Sequence, residues 1–189
     1  MITNIYLLIC AGIFIYINFI NQGDKVACAM KLGAFYPPNV RENKEYWRFI
    51  MCNFIHIDFI HFLMNAYALY QLGHFFEVVL TPMPYLIVVV VSMLLSSLLC
   101  YSAAEISFQA DNTITIGASG VVFGFFGAIC ALGYLAGGVY MELLEEFLGI
   151  ILINIAYTFL NRQISVTGHL GGFIGGVVSI VVLLATKMI

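Results

Sequence analysis

What most constrains this chain is a succession of apolar runs, each about as long as a bilayer is thick. They read at about 3–21, 59–80, 84–103, 116–136, 142–160 and 168–187. A helix crossing the hydrocarbon core needs roughly 20 mostly apolar residues. The third run (Tyr85 to Leu99) and the sixth (Leu170 to Leu184) are the clearest, whereas Glu145 and Glu146 sit near the start of the fifth. The runs are too long and continuous for barrel strands, so their backbone polar groups must be satisfied within helices. Composition agrees. The 189 residues are 62% hydrophobic and 9% charged, with mean hydropathy +1.02, against about 25% charged in an ordinary soluble domain. Too few polar side chains remain to cover a water-facing surface. The expectation is an all-α, polytopic membrane protein, a single domain over 1–189 with a first loop at 22–58 and lipid as its main solvent.

The charges say little about partners but something about layout. Five of the seven basic residues, Lys25, Lys31, Arg41, Lys44 and Arg48, fall in the first loop beside Asp24, Glu42 and Glu45. The net charge of −3 decides nothing by itself, but that mixture is no polybasic patch and argues against nucleic acid as a partner. Cys10, Cys100 and Cys130 lie inside apolar runs as small hydrophobes. Cys28 and Cys52 in the first loop are candidates for a disulfide in an oxidising compartment. Ala27-Cys28-Ala29 has the look of a cleavage site, but the first run is long for a signal segment and lacks a basic lead, so it reads as a retained helix.

Short connectors such as Thr81-Pro82-Met83-Pro84 and Gly137-Gly138 make consecutive helices antiparallel. With six crossings, helices two, four and six then enter from one side. His61 and Asn65, Ser119 and His169 each lie within about two turns of those three starts. Polar groups in a membrane are costly, and their convergence at one depth is a functional signal.

Gly117-Ala118-Ser119-Gly120 offers a serine flanked by glycines at a helix start, where free backbone N–H groups favour an anion. Gly117, Gly120, Gly124 and Gly127 equally make a small-residue packing stripe. Gly168-His169 is followed by Gly172 and Gly176 on one stripe and by Gly171, Gly175 and Ser179 on another. Packing of helix six on helix four along these stripes would set His169 beside Ser119 as a general base; alone, His169 equally marks the water interface. Asp58 has no reason to face His169, so a Ser–His dyad is expected, with Phe123 as a ring for the histidine to rest on. His61 and Asn65, at i and i+4, share a helical face. With the Ser119 N–H they are candidate oxyanion donors. A metal held by His56, His61 and His74 is the competing reading, but no His-Glu-x-x-His pair or intramembrane carboxylate supports it. No metal and no cofactor is expected. His74 and Glu77 read as a structural polar pair at the opposite interface.

Taken together, Trp47-Arg48, His61-x-x-x-Asn65, Gly117-Ala118-Ser119-Gly120 and Gly168-His169-x-Gly171-Gly172 resemble the rhomboid family of intramembrane serine proteases, over about 45–187. The resemblance implies a minimal six-transmembrane-helix rhomboid-like bundle in which Ser119 is the nucleophile and His169 the base. His61, Asn65 and Ser119 would form the oxyanion hole, supported by Phe123, Gly117, Gly120 and Gly172. It implies transmembrane protein substrates in the bilayer, a multi-pass location in the plasma membrane of a prokaryote, a membrane-associated hairpin in the first loop and a mobile cap near 161–167. Phe123 stands where many relatives carry tyrosine. The implied topology puts the first loop outside, whereas its basic residues favour the inside. The competing class is a catalytically inert rhomboid-like factor for membrane-protein binding or quality control. Such chains lack the serine or the histidine, or carry a residue that blocks the site; this one has both, and Ala118 sets no proline or bulk beside Ser119.

Overall fold

The protein is described from a computed structural model, over residues 1–161 and 164–189. Among these residues six long helices run: α1 (Ile2–Ile20), α2 (Phe59–Val79), α3 (Pro82–Ala104), α4 (Ser119–Ala136), α5 (Val139–Leu160) and α6 (Val166–Ala185). Five are long and apolar enough to cross a membrane; α2 passes only together with Arg48–Phe54, across a bend of 97°. The polar residues His61, Asn65, Gln71, His74 and Glu77 on α2 are the reason. The single pairing of extended chain among the described residues is the antiparallel bridge Phe35–Thr115.

The helices begin and end where local chemistry dictates. Asp58 and Ser165 cap α2 and α6 with their side-chain oxygens on the His61 and Gly168 amides, satisfying donors that a first turn leaves orphaned. Pro82 and Pro84 open α3, where a missing N–H costs nothing. The Gly137-Gly138 turn has positive φ at both residues, which glycine accepts without strain, and it reverses the chain between α4 and α5.

The central helix is α4, buried over 72% of its apolar window, against 11% for α5. On α5 only Ile151 and Thr158 are buried, so its other faces meet lipid. Helix α6 lies between α4 and α3, and its two glycine stripes serve different neighbours. The expectation gave both stripes to helix four. Instead Gly172 and Gly176 face α4, while Gly171 and Gly175 face α3 at Leu95–Ser96 and Val91–Ser92. Ser96 and Ser92 also close on Gly120 and Gly124, so three backbones meet around two serines. Dispersion at such close approach, rather than any hydrophobic drive, holds helices together in lipid.

The first loop is folded. Short helices Lys25–Leu32 and Pro37–Asn43 lead to Arg48, which is 4% exposed. Its guanidinium donates to the Met30 and Ala34 carbonyls at 2.8 and 2.6 Å and to the Glu45 carboxylate. Trp47 lies beneath the guanidinium, 4.9 Å from ring centre to Cζ, and against Gly33 at φ +111°. Arg41 clasps Asp111 through two 3.0 Å bonds, tying this loop to the α3–α4 connection. The Cys28–Cys52 disulfide left open by the sequence is not formed, and the expected His74–Glu77 pair needs correction. Cys28 and Cys52 are free thiols in separate clusters, Cys52 Sγ lying 3.3 Å from Ser97 Oγ. His74 and Glu77 do not pair with each other but both hold the start of α1. Glu77 accepts from the Ile2 and Thr3 amides and the Thr3 hydroxyl, and His74 Nε2 meets Asn4 Oδ1 at 2.8 Å. The cap expected near 161–167 includes Arg162 and Gln163, which lie outside the described residues.

Candidate active site

The turn into α4 is built around Gly117. Its φ of +113° is a region that residues with a Cβ avoid, and a Cβ there would stand 2.6 Å from His61 Cε1 and 2.7 Å from Nε2. Glycine thus lets the His61 ring lie against the turn. The turn is also pinned from the first-loop side: Gly117 N–H donates to the Cys52 carbonyl at 3.0 Å and Ala118 N–H to His56 Nε2 at 3.2 Å. His56 is 1% exposed and packs edge-on to His61, ring centres 5.2 Å apart. Ser119 then opens α4, half-buried. Among the described residues, the Ser119 and Gly120 amides have no backbone acceptor, as befits a first turn.

On α2, Asn65 is buried and its amide donates to the His61 carbonyl at 2.9 Å. One of its two N–H groups therefore turns back on its own helix and one is left. Asp58 spends its carboxylate on the His61 backbone N–H at 2.8 Å, as the cap of α2. It takes no part in holding His169.

His169 is buried near the start of α6. Its ring stacks on Phe123, centroids 4.0 Å apart and planes 20° from parallel, and Nδ1 lies 2.8 Å from Thr158 Oγ1. Where α6 meets α4, a Cβ on Gly172 would stand 2.7 Å from the Gly120 carbonyl carbon and 2.9 Å from its Cα. That contact is one residue past Ser119 and three past His169, and the parallel register Gly120–Gly172, Gly124–Gly176 carries both residues to one end of the pair. Among the described residues, no hydrogen bond joins Ser119 and His169 directly. The structure therefore brings together the turn at 117–120, His61, Phe123 and His169, while Asn65 has part of its donor capacity already committed.

Two contributors escaped the sequence reading of this site. From the sequence His56 is a candidate metal ligand and nothing more, and its amide contact under Ala118 has no local signal. Thr158 is one hydroxyl in an apolar run, with no spacing to connect it to His169. As for metal ligands, His56 and His61 adjoin, but His74 lies at the other end of α2 bound to Asn4. Among the described residues no three potential ligands converge.

Comparison with known proteins bears on this arrangement. The profile of the Rhomboid domain family matches residues 43–186, most of the chain. The chain belongs to the rhomboid family. Relatives of this rhomboid include Rhomboid protease GluP of Bacillus subtilis (strain 168), 27% identical over 133 residues, which are 70% of this chain and 25% of that protein. RHOMBOID-like protein 5 of Arabidopsis thaliana is 30% identical over 158 residues, 82% of this chain and 49% of its own. Putative rhomboid protease YdcA of Bacillus subtilis (strain 168) is 25% identical over 138 residues, 71% of this chain and 65% of its own. The matches thus span from a quarter to about two thirds of these relatives' lengths. As a rhomboid with several apolar helices, the chain is an integral multi-pass membrane protein of a family made up generally of intramembrane serine proteases.

Proposed function

We propose that this rhomboid is an intramembrane serine endopeptidase that hydrolyses a peptide bond in or near the transmembrane segment of membrane-anchored proteins. The observation that carries the reading is the stack of His169 on Phe123 at 4.0 Å, on helices whose backbones touch at Gly120 and Gly172. Ser119 Oγ attacks the scissile carbonyl while His169 takes its proton. The oxygen of the tetrahedral intermediate becomes an anion. It draws on the unbonded Ser119 N–H, on His61 held against Gly117, and on the remaining N–H of Asn65, each such donor being worth about 2.7–4 kcal/mol where measured in a serine protease. Collapse expels the amine, to which His169 returns the proton. Water then attacks the acyl-serine, with His169 again as base. Phe123 supplies a flat seat for the imidazole in place of a charged orienting group, and Gly117, Gly120 and Gly172 allow the close approaches on which the arrangement rests.

The substrates in this reading are transmembrane proteins met within the bilayer, and the location is the plasma membrane of a prokaryotic cell. The test is labelling of purified protein by a fluorophosphonate, together with cleavage of a membrane-anchored reporter in reconstituted vesicles, for wild type and Ser119→Ala. Labelling and cleavage that both require Ser119 are expected. Folded wild type that neither labels nor cleaves would instead identify a catalytically inert rhomboid-like factor acting by binding membrane proteins.

A further inference from the structure

Thr158 is one of only two buried residues on α5, at 4% exposed, and the other, Ile151, is apolar. A hydroxyl on the one packed stripe of a lipid-facing helix needs its partners explained. A threonine in a membrane helix commonly donates to the carbonyl four residues back, and Thr158 Oγ1 does so to Asn154 at 2.8 Å. That bond uses its only proton and leaves its lone pairs free. One of them meets His169 Nδ1 at 2.8 Å.

The chemistry of the three groups fixes the direction of each bond. The hydroxyl has one hydrogen, and both bonds form at once only if that hydrogen goes to the Asn154 carbonyl, which can only accept. The hydroxyl can then only accept from the ring, so Nδ1 carries the imidazole proton. A neutral imidazole has one N–H, and Nε2 is left bare. This is the tautomer a general base requires, reached without a carboxylate. In serine proteases with a third member, a buried carboxylate on Nδ1 does this work. Here Asp58 is spent as a helix cap, and among the described residues the His169 ring stacks on Phe123, which sets its plane, and hydrogen-bonds Thr158.

We propose that Thr158 is a positioning residue for the proteolytic dyad, its back-bonded hydroxyl holding His169 in the Nδ1–H tautomer so that Nε2 is the base. The inference rests on the protease reading above and adds a third member to it, donated by α5. Phe123 restrains the tilt of the ring and Thr158 its rotation, which together leave the imidazole one orientation.

Thr158→Val keeps the branched shape and removes the hydroxyl; Thr158→Ser keeps the hydroxyl. The experiment measures kcat and KM for reporter cleavage in vesicles and the rate of fluorophosphonate labelling, alongside thermal melting in detergent. The expectation for Thr158→Val is a fall of about tenfold in kcat and in labelling rate, the scale of one lost hydrogen bond, with KM unchanged and melting lowered modestly by the unpaired Nδ1–H. Thr158→Ser is expected to restore both rates to within about threefold of wild type on the same scale. Packing alone would move melting and spare the labelling rate. Should Thr158→Val melt early, Thr158→Ser against Thr158→Ala, at a temperature where both are folded, gives the same comparison. Equal rates with and without the hydroxyl overturn the proposal while Ser119-dependent cleavage still stands. Loss of Ser119 dependence in wild type removes the protease reading and this inference with it.

Discussion

Gly172→Ala is the smallest change that tests the logic of the site. The added Cβ would stand 2.7 Å from the Gly120 carbonyl carbon and 2.9 Å from its Cα, closer still to the carbonyl oxygen, whereas ordinary contact begins at 3.4 Å. The opposing atoms are backbone and cannot turn aside. Helices α4 and α6 must therefore part by roughly 0.7 Å or more, the difference between 3.4 and 2.7 Å. Overpacking of this kind costs about 1–3 kcal/mol, and the better helix propensity of alanine returns up to about 1 kcal/mol. With that returned, the net expectation is a melting temperature lower by up to roughly 8 °C for a chain of this size. Activity suffers more, because the same displacement separates Ser119 from His169, and a misplacement near 1 Å can cost about 100-fold. Gly149→Ala on α5 is the control, since nothing lies within 4 Å of its would-be Cβ. Melting in detergent and the fluorophosphonate labelling rate are read for wild type and both variants. If Gly172→Ala labels at the wild-type rate, the argument that close packing of α4 and α6 positions the dyad is wrong, whatever happens to stability.

Four further outcomes are expected. Phe123→Ala removes the ring beneath His169 and should slow reporter cleavage about three- to tenfold, the scale of an aromatic contact; Phe123→Tyr should not, and equal rates for all three would deny the ring its role. Arg48→Ala strips hydrogen bonds from two carbonyls and Glu45 and should destabilise by roughly 1.5–3 kcal/mol, seen as early melting in detergent. Glu45 donates no proton to Arg48 but accepts one bond from it, and this bond holds its carboxyl below the ordinary 4.5. The stability it contributes is present above that value and lost as pH falls through the depressed one. Melting curves of wild type and Glu45→Gln should therefore differ at pH 7 and converge as pH falls through the depressed carboxyl value; a gap independent of pH would place the effect elsewhere. Gly117→Ala meets both a strained φ and the His61 ring, so it should reduce labelling more than Gly12→Ala, which meets nothing within 4 Å.

Much of this protein is legible in its residues because lipid leaves so few options. A run such as Tyr85–Leu99 can only be a helix once water is excluded, and the antiparallel order follows from connectors as short as Gly137-Gly138. The stripe Gly168, Gly172, Gly176 announces a close backbone contact, since in lipid small residues are the main means of tight packing. The family resemblance was equally readable, as an ordered set of motifs along one chain.

Partner choice was readable for α6 on α4 and not beyond it. Nothing local distinguishes the face of α6 carrying Gly171 and Gly175, which meets Ser92 and Ser96 of α3, from the face carrying Gly172, which meets Gly120. A stripe states that something approaches and not what. Glu77 and His74 looked like a pair by spacing, yet each found α1, whose unbonded first-turn amides and Asn4 arrive from seventy residues away. His56 and Thr158 are single polar atoms whose meaning depends on what stands 3 Å off, Ala118 in one case and His169 in the other. By itself, then, the sequence determined the helices, their order and the polar residues gathered at one end, because hydrophobicity and backbone satisfaction act along the chain. Only the tertiary structure decided that α3 shares α6 with α4 and that Thr158 and His56 meet His169 and Ala118, because hydrogen bonds and van der Waals contacts act over a few ångströms between residues that the chain keeps far apart.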